Sequence, residues 1–310
     1  GLLSALDEMR PAAPEVVVAV GGGSALDLGK ALAALLPAPG NPVRHFEVVG
    51  EGLPLAAPPL PFVAVPTTSG TGAEATKNAV IAMPAHRVKV SLRDDRMMAR
   101  LALVDPALTD DCPRGVTLAS GLDAVVQVIE PYLSCKARPE TDALCRTAIP
   151  EGLAALSALM AGPDPAARDA MARVSLHGGI ALANAGLGAV HGLAGVLGGM
   201  TGAPHGALCG RLLPGVLVEN RTAMAAAGQP LDRVEEVAGW IAATLGGPAS
   251  AAFDTLRDRI DAWGLPHLAE LGLRAADHAE VARLSQRASS MKGNPVPLPD
   301  SALIRTLASA

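Results

Sequence analysis

Up to about residue 107, short apolar runs alternate with turns rich in glycine and proline; from about Pro113 onward the apolar spacing is helical. VVVAV (16–20) and FVAV (62–65) are continuous apolar runs, the pattern of strands buried on both faces of a parallel sheet. LALV (101–104) reads as a third strand, closed by Asp105 and Pro106. Asn78–Met83 and Arg87–Leu92 are shorter extended pieces that form a hairpin around Pro84. ALDLGKALAALL, just after the first strand, reads as a helix ended by Pro37, and residues 38–60 read as loop. Beyond Pro113 the periodicity predicts helices over 113–133, 140–160, 167–200, 205–220, 232–245, 250–263 and 275–290. The expected fold is an α/β domain on a parallel sheet over residues 1–107 and an all-helical domain over 108–310.

Composition narrows the class. The 310 residues suffice for two domains with a sizeable core. Half are apolar, only 2% are aromatic, and the net charge is −5 with both signs interspersed. The absence of a basic block and of stacking aromatics excludes a nucleic-acid surface. The four cysteines form no CxxC pair, so reduced thiols and a cytoplasmic setting are expected. The N-terminus lacks a basic-then-apolar signal layout and does not begin with Met, which leaves room for missing upstream sequence.

Gly178–Ala203 contains no Lys, Arg, Asp or Glu, and its one ionisable side chain is His191; His205 follows 14 residues later. A membrane span has this length. Nine glycines and flanks without Lys or Arg count against one, so no membrane association is expected. A core imidazole bonded to a backbone carbonyl and a ligand to a metal both remain open for His191. Upstream, Asp123 and Gln127 stand four apart on one apolar helix face, and a carboxylate there needs a cation or several donors. Asp123, His191 and His205 would make a three-ligand site with an open position, which suits catalytic zinc or ferrous iron; Gln127 adds at most a weak neutral ligand.

Two turns follow the buried strands directly. GGGS after the first suits an anion: glycines let a phosphate approach the backbone, and the following helix supplies partial positive charge. PTTSGTGAE after the second gathers four hydroxyl residues and two glycines where ligands of open α/β sheets sit. A merely tight turn and a local cap by Thr67 and Thr68 are the structural alternatives.

GGGSALDLGK, VPTTSGTGAEAT, SGLDAVVQVIE and VHGLAG…APHGALCG, in that order, resemble the iron-containing (group III) alcohol dehydrogenase family. Its superfamily also holds glycerol dehydrogenase, maleylacetate reductase and 3-dehydroquinate synthase. The resemblance runs from residue 16 to the end. It implies that the α/β domain binds a dinucleotide and the helical domain holds metal and substrate. Gly22, Gly23 and Ser24 match the pyrophosphate turn, with Asp27 near the nicotinamide. Thr67, Thr68 and Thr71 match the threonine turn that touches cofactor, and Lys89 the lysine that reaches its ribose. Asp123, His191 and His205 match three ligands of a divalent metal, iron or zinc. Three departures stand out. Gln127 replaces the histidine that many members use as fourth ligand. Gly195 replaces another histidine implicated in proton handling. Only 15 residues precede the first strand, so the sheet is expected to be truncated and NAD is not distinguished from NADP.

The implied activity is hydride transfer between a nicotinamide cofactor and an alcohol/aldehyde or ketone pair, in a protein that forms homo-oligomers. An oxo-acid reductase of the maleylacetate type, or a related lyase, would instead need cations in the cleft; Lys77, Lys89, Arg93 and Arg211 are the candidates. Gln127 and Gly195 also allow a cofactor-binding protein without metal or turnover.

Overall fold

The computed structural model describes residues 1–83 and 88–310. Helix α1 (Leu2–Met9) leads into strand β1 (Val17–Gly21), helix α2 (Gly23–Leu35) and strand β2 (Phe62–Pro66). Strands β3 (Asn78–Met83) and β4 (Val88–Arg93) pair antiparallel, and the turn at Pro84 lies outside the described residues. Strand β5 (Leu101–Ala102) completes a parallel sheet of order β1-β2-β5, with Val17 opposite Phe62 and Val63 opposite Leu101.

The first run is not buried on both faces. Val17 and Ala19 are buried, while Val18 and Val20 are 57% and 61% exposed. Helix α2 closes on one face only: a Cβ on Gly29 would stand 2.6 Å from the Ala19 Cβ, so the bare glycine brings helix and sheet into contact. The third strand is also shorter than LALV, although Leu103 still donates its N–H to Ala64.

Helices α3 (Arg114–Leu133), α4 (Pro139–Ala161), α5 (Pro165–Ala185), α6 (Ala189–Thr201), α7 (His205–Ala226), α8 (Asp232–Leu245), α9 (Ala252–Trp263), α10 (His278–Ser285) and α11 (Asp300–Ser309) form the rest. Helices α1 and α11 do not stand out in the apolar spacing. The largest apolar cluster lies among these helices, with α3 buried continuously from Gly121 to Leu133.

The expected 167–200 helix is two helices, α5 and α6, meeting at 102°. Gly186 takes φ +71, a left-handed conformation that ends α5. The first N–H groups of α6 are then free to be capped from elsewhere. Val190 donates to Glu130 at 2.6 Å and Ala189 to Asn294 at 3.0 Å. The uncharged stretch is therefore bent back into the core, and not one continuous wall.

The two turns are tied together from below by Lys30 on α2. Its buried ammonium donates to the carbonyls of Ala73, Thr76 and Asn78 and to the Thr76 hydroxyl, at 2.6–2.9 Å. Burial holds its pKa down at about 8. Lys30→Met keeps the stem but orphans those acceptors. It should cost about 2–4 kcal/mol, each unsatisfied buried group being worth ~1–3 kcal/mol, read as a lower urea midpoint.

Candidate metal centre and the adjoining cleft

Three helices bring the candidate ligands together. Asp123 lies midway along α3, His191 in the first turn of α6, and His205 is the first residue of α7. Asp123 Oδ1 stands 3.5 Å from His191 Nε2 and 3.9 Å from His205 Nε2. Cys209, one turn along α7 from His205, puts Sγ 3.5 Å from His205 Nε2. The four donor atoms lie within 4.8 Å of one another. This convergence depends on glycine. A Cβ on Gly206 would stand 2.2 Å from the Ala119 carbonyl oxygen, and one on Gly210 2.6 Å from Leu122. Without side chains there, α7 lies directly against α3.

Glu130 sits seven residues after Asp123 on the same helix. Its Oε2 is 2.6 Å from His191 Nδ1, while its Oε1 accepts the Val190 N–H. One ring nitrogen of His191 is thereby committed, and Nε2 is turned toward Asp123. Among the described residues, His191 Nε2 and Asp123 Oδ1 are both buried without a hydrogen-bond partner. Their 3.5 Å separation is too long for a good hydrogen bond. Two orphaned polar atoms facing each other, flanked by an imidazole and a thiol, fit a cation between them.

At His205 the electrostatics agree with that fit. Burial pushes the His205 pKa down to about 4, against the pull of Asp123, so the ring is neutral with a lone pair at neutral pH. Burial disfavours a charged His191, but Cys209, Asp123 and Glu130 outweigh it and raise its pKa. Burial also works against the Asp123 carboxylate, yet His205 and His191 hold its pKa below the ordinary value. The Cys209 thiol is pushed up to about 12 by burial. The His205 side chain is 33% exposed, so the cluster opens on that side.

The residues expected to touch cofactor meet at the strand ends. Thr67 donates its N–H to Gly21, and the two turns abut: a Cβ on Gly22 would stand 3.2 Å from the Thr68 hydroxyl, and one on Gly23 2.7 Å from the Thr71 hydroxyl. Ser24 is exposed in the first turn of α2. Asp27 accepts the Val80 N–H, and burial raises its pKa to about 6. Lys89 bridges the two regions. Its charge acts on both Asp27 and His205, and its Nζ lies 3.4 Å from the Cβ position of Gly198 on α6.

Gln127, at most a weak ligand by its chemistry, ties α3 to the threonine turn. Its amide nitrogen donates to the Thr71 carbonyl at 2.7 Å, and its side chain packs on Gly178. The side chain is occupied in joining α3 to the threonine turn. Sequence reasoning missed Cys209 and Glu130. Both stand at helical spacings from chosen residues, four after His205 and seven after Asp123.

Known proteins show the same organisation. The profile of iron-containing alcohol dehydrogenase matches residues 2–106, and that of the Fe-containing alcohol dehydrogenase family, C-terminal, matches 117–310. A probable alcohol dehydrogenase, EutG, of Salmonella typhimurium is 39% identical over 70% of this chain and 54% of its own. The chain thus spans about half the length of that relative. The 1,3-propanediol dehydrogenase of Klebsiella pneumoniae is 33% identical over 91% of this chain and 72% of its own. The crystal structure of sulfoacetaldehyde reductase from Bifidobacterium kashiwanohense in complex with NAD+ superposes with a TM-score of 0.84. It is 27% identical, over 99% of this chain and 79% of that one. With both halves matched in order and the fold shared, the chain belongs to the iron-containing alcohol dehydrogenase family.

Proposed function

We propose that the protein is a nicotinamide- and metal-dependent alcohol dehydrogenase or aldehyde reductase, with a divalent cation held by Asp123, His191 and His205. The observation that carries it is the orphaned pair of Asp123 Oδ1 and His191 Nε2 beside a neutral His205. When bound, the cation would polarise a substrate oxygen while the nicotinamide gives or takes a hydride. The α/β part over 1–107 and the helical part over 108–310 would hold the two groups on either side of one cleft. A cytoplasmic setting goes with the four unpaired thiols.

Each candidate residue has a task in that reading. Gly22 and Gly23 let the threonine turn close on the glycine turn, and the N-terminus of α2 would face a diphosphate with its N–H groups. Thr67, Thr68, Thr71 and Ser24 offer hydroxyls around it. Lys89 supplies positive charge between cofactor and metal sites. Glu130 fixes the His191 ring. A Cβ on Gly195 would meet nothing within 4 Å, so water has space where relatives carry a histidine. Proton exchange by water through that gap is part of this proposal.

The oxo-acid alternative is weakened by charge pairing. Lys77 pairs with Asp95, Arg93 with Glu47, and buried Arg211 with Asp261. Of the four cationic candidates only Lys89 enters no ion pair among the described residues. The relatives' printed names, a probable alcohol dehydrogenase and a 1,3-propanediol dehydrogenase, support small alcohols and aldehydes instead. The NAD+ in the sulfoacetaldehyde reductase complex supports a nicotinamide cofactor, with NAD the form to test first.

Purified protein should contain about one divalent cation per chain, and removal by a chelator should abolish turnover of simple alcohols or aldehydes. His205→Ala should lose metal and turnover together; full activity in the variant or in metal-free protein refutes the assignment. Glu130→Gln should weaken metal retention about 10–100-fold, as loss of a partner behind a ligand does, measured by chelator competition. Gly23→Val should push Thr71 aside and fill the diphosphate space, lowering NADH affinity at least about tenfold in a nicotinamide fluorescence titration. Unchanged binding would make the turn purely structural.

A further inference from the structure

We infer that Cys209 is the fourth protein ligand, taking the place left by Gln127, and that the centre is thereby tuned to zinc over iron. The inference rests on the metal-site reading above and adds to it a residue and a metal preference. Its basis is the geometry around Sγ. With bonds of about 2.0–2.1 Å to nitrogen or oxygen and about 2.3 Å to sulfur, the donors of a tetrahedral zinc stand about 3.3–3.6 Å apart. Cys209 Sγ and His205 Nε2 stand 3.5 Å apart, as do His191 Nε2 and Asp123 Oδ1, and His205 Nε2 and Asp123 Oδ1 are 3.9 Å apart. These three distances link all four donors in one chain, and every pair lies within 4.8 Å, so a small inward movement brings the four to tetrahedral spacing with Sγ as one corner.

Two further observations favour a ligand over a space-filling thiol. Cys209 is buried, on the face of α7 that carries His205, and its sulfur lies within 4.8 Å of all three other donors. The residue that competes for the fourth corner, Gln127, spends its amide nitrogen on the Thr71 carbonyl. Asp-His-His-Cys is a softer donor set than one carboxylate with three imidazoles. Nitrogen and oxygen donors already bind zinc more tightly than ferrous iron, and a thiolate widens that preference. Coordination forms one sulfur–metal bond and breaks the S–H bond, the proton leaving to solvent. The exposed flank of His205 leaves an approach for one more donor, and zinc sites expand to five-coordinate.

The test is cobalt(II) substitution of the chelator-stripped full chain, with zinc as competitor. The expected result is a visible ligand-field spectrum together with a near-ultraviolet sulfur-to-cobalt charge-transfer band. Cys209→Ser should lose that band and bind zinc more than about 100-fold more weakly, beyond the roughly 10–100-fold cost of removing an outer partner. X-ray absorption of zinc-loaded unaltered protein needs no variant and should show one sulfur at about 2.3 Å. Ligand-field bands without the charge-transfer band, or a zinc shell of nitrogen and oxygen only, would overturn the role of Cys209 and leave the three-ligand site standing. Failure to bind either cobalt or zinc would overturn both readings. A protein that takes iron in preference to zinc from an equimolar, oxygen-free mixture would overturn the metal preference.

Discussion

A carboxylate buried in the middle of an apolar helix is the constraint around which this fold is arranged. Asp123 is surrounded on α3 by Leu122, Ala124, Val125 and Val126, all fully or almost fully buried. An isolated charge there is costly unless it is paired. The two carboxylates of α3 meet this demand differently. Glu130 is satisfied by protein alone, accepting from Val190 and bonding His191. Asp123 is left with an oxygen that the protein does not satisfy. Glu130 also decides the register of α6, because its carboxylate caps the N-terminus that the bend exposes. The same side chain thus ends the orphaned N–H, turns His191 and complements the positive end of the helix.

Close approach of backbones is the second requirement, and glycine meets it at each junction. Gly206 and Gly210 set α7 on α3, while Gly22 and Gly23 set the first turn against the second. Gly72 has φ +55 and lies against Gly179, so the threonine turn touches α5 with no side chain between them. These contacts place the ends of the strands beside the three-helix cluster.

Much of this was legible in the sequence. Continuous apolar runs gave the strands, and the 3.6-residue spacing gave most helices within a few residues. The break between α5 and α6 was hidden because Gly186 and Gly188 sit in a stretch apolar enough to read as one element. The capping that fixes it comes from Glu130 and Asn294, distant in sequence. The exposure of Val18 and Val20 was equally invisible, since a run of valines records hydrophobicity and not which face is covered. At the site, Asp123, His191 and His205 could be chosen from order and motif resemblance. The detour of Gln127 to Thr71 depends on a backbone carbonyl, which has no signature in residue types. Cys209 counted only as one of four reduced thiols, and its spacing from His205 took on meaning once α7 brought the sulfur to His205 Nε2.

The hydrogen bond from Gln127 to the Thr71 carbonyl links the helix of Asp123 to the turn that abuts Gly23. Both reaction partners would then be referenced to one short mechanical path: glycine turn, threonine turn, Gln127, Asp123. Its links are the Thr71 side chain against Gly23, one side-chain hydrogen bond and a single helical turn. A rocking motion between the sheet and the helices would have to stretch that path before it could alter the donor–acceptor distance. Under the function proposed above, the spacing between the cofactor turn and the metal centre would therefore be set when the chain folds.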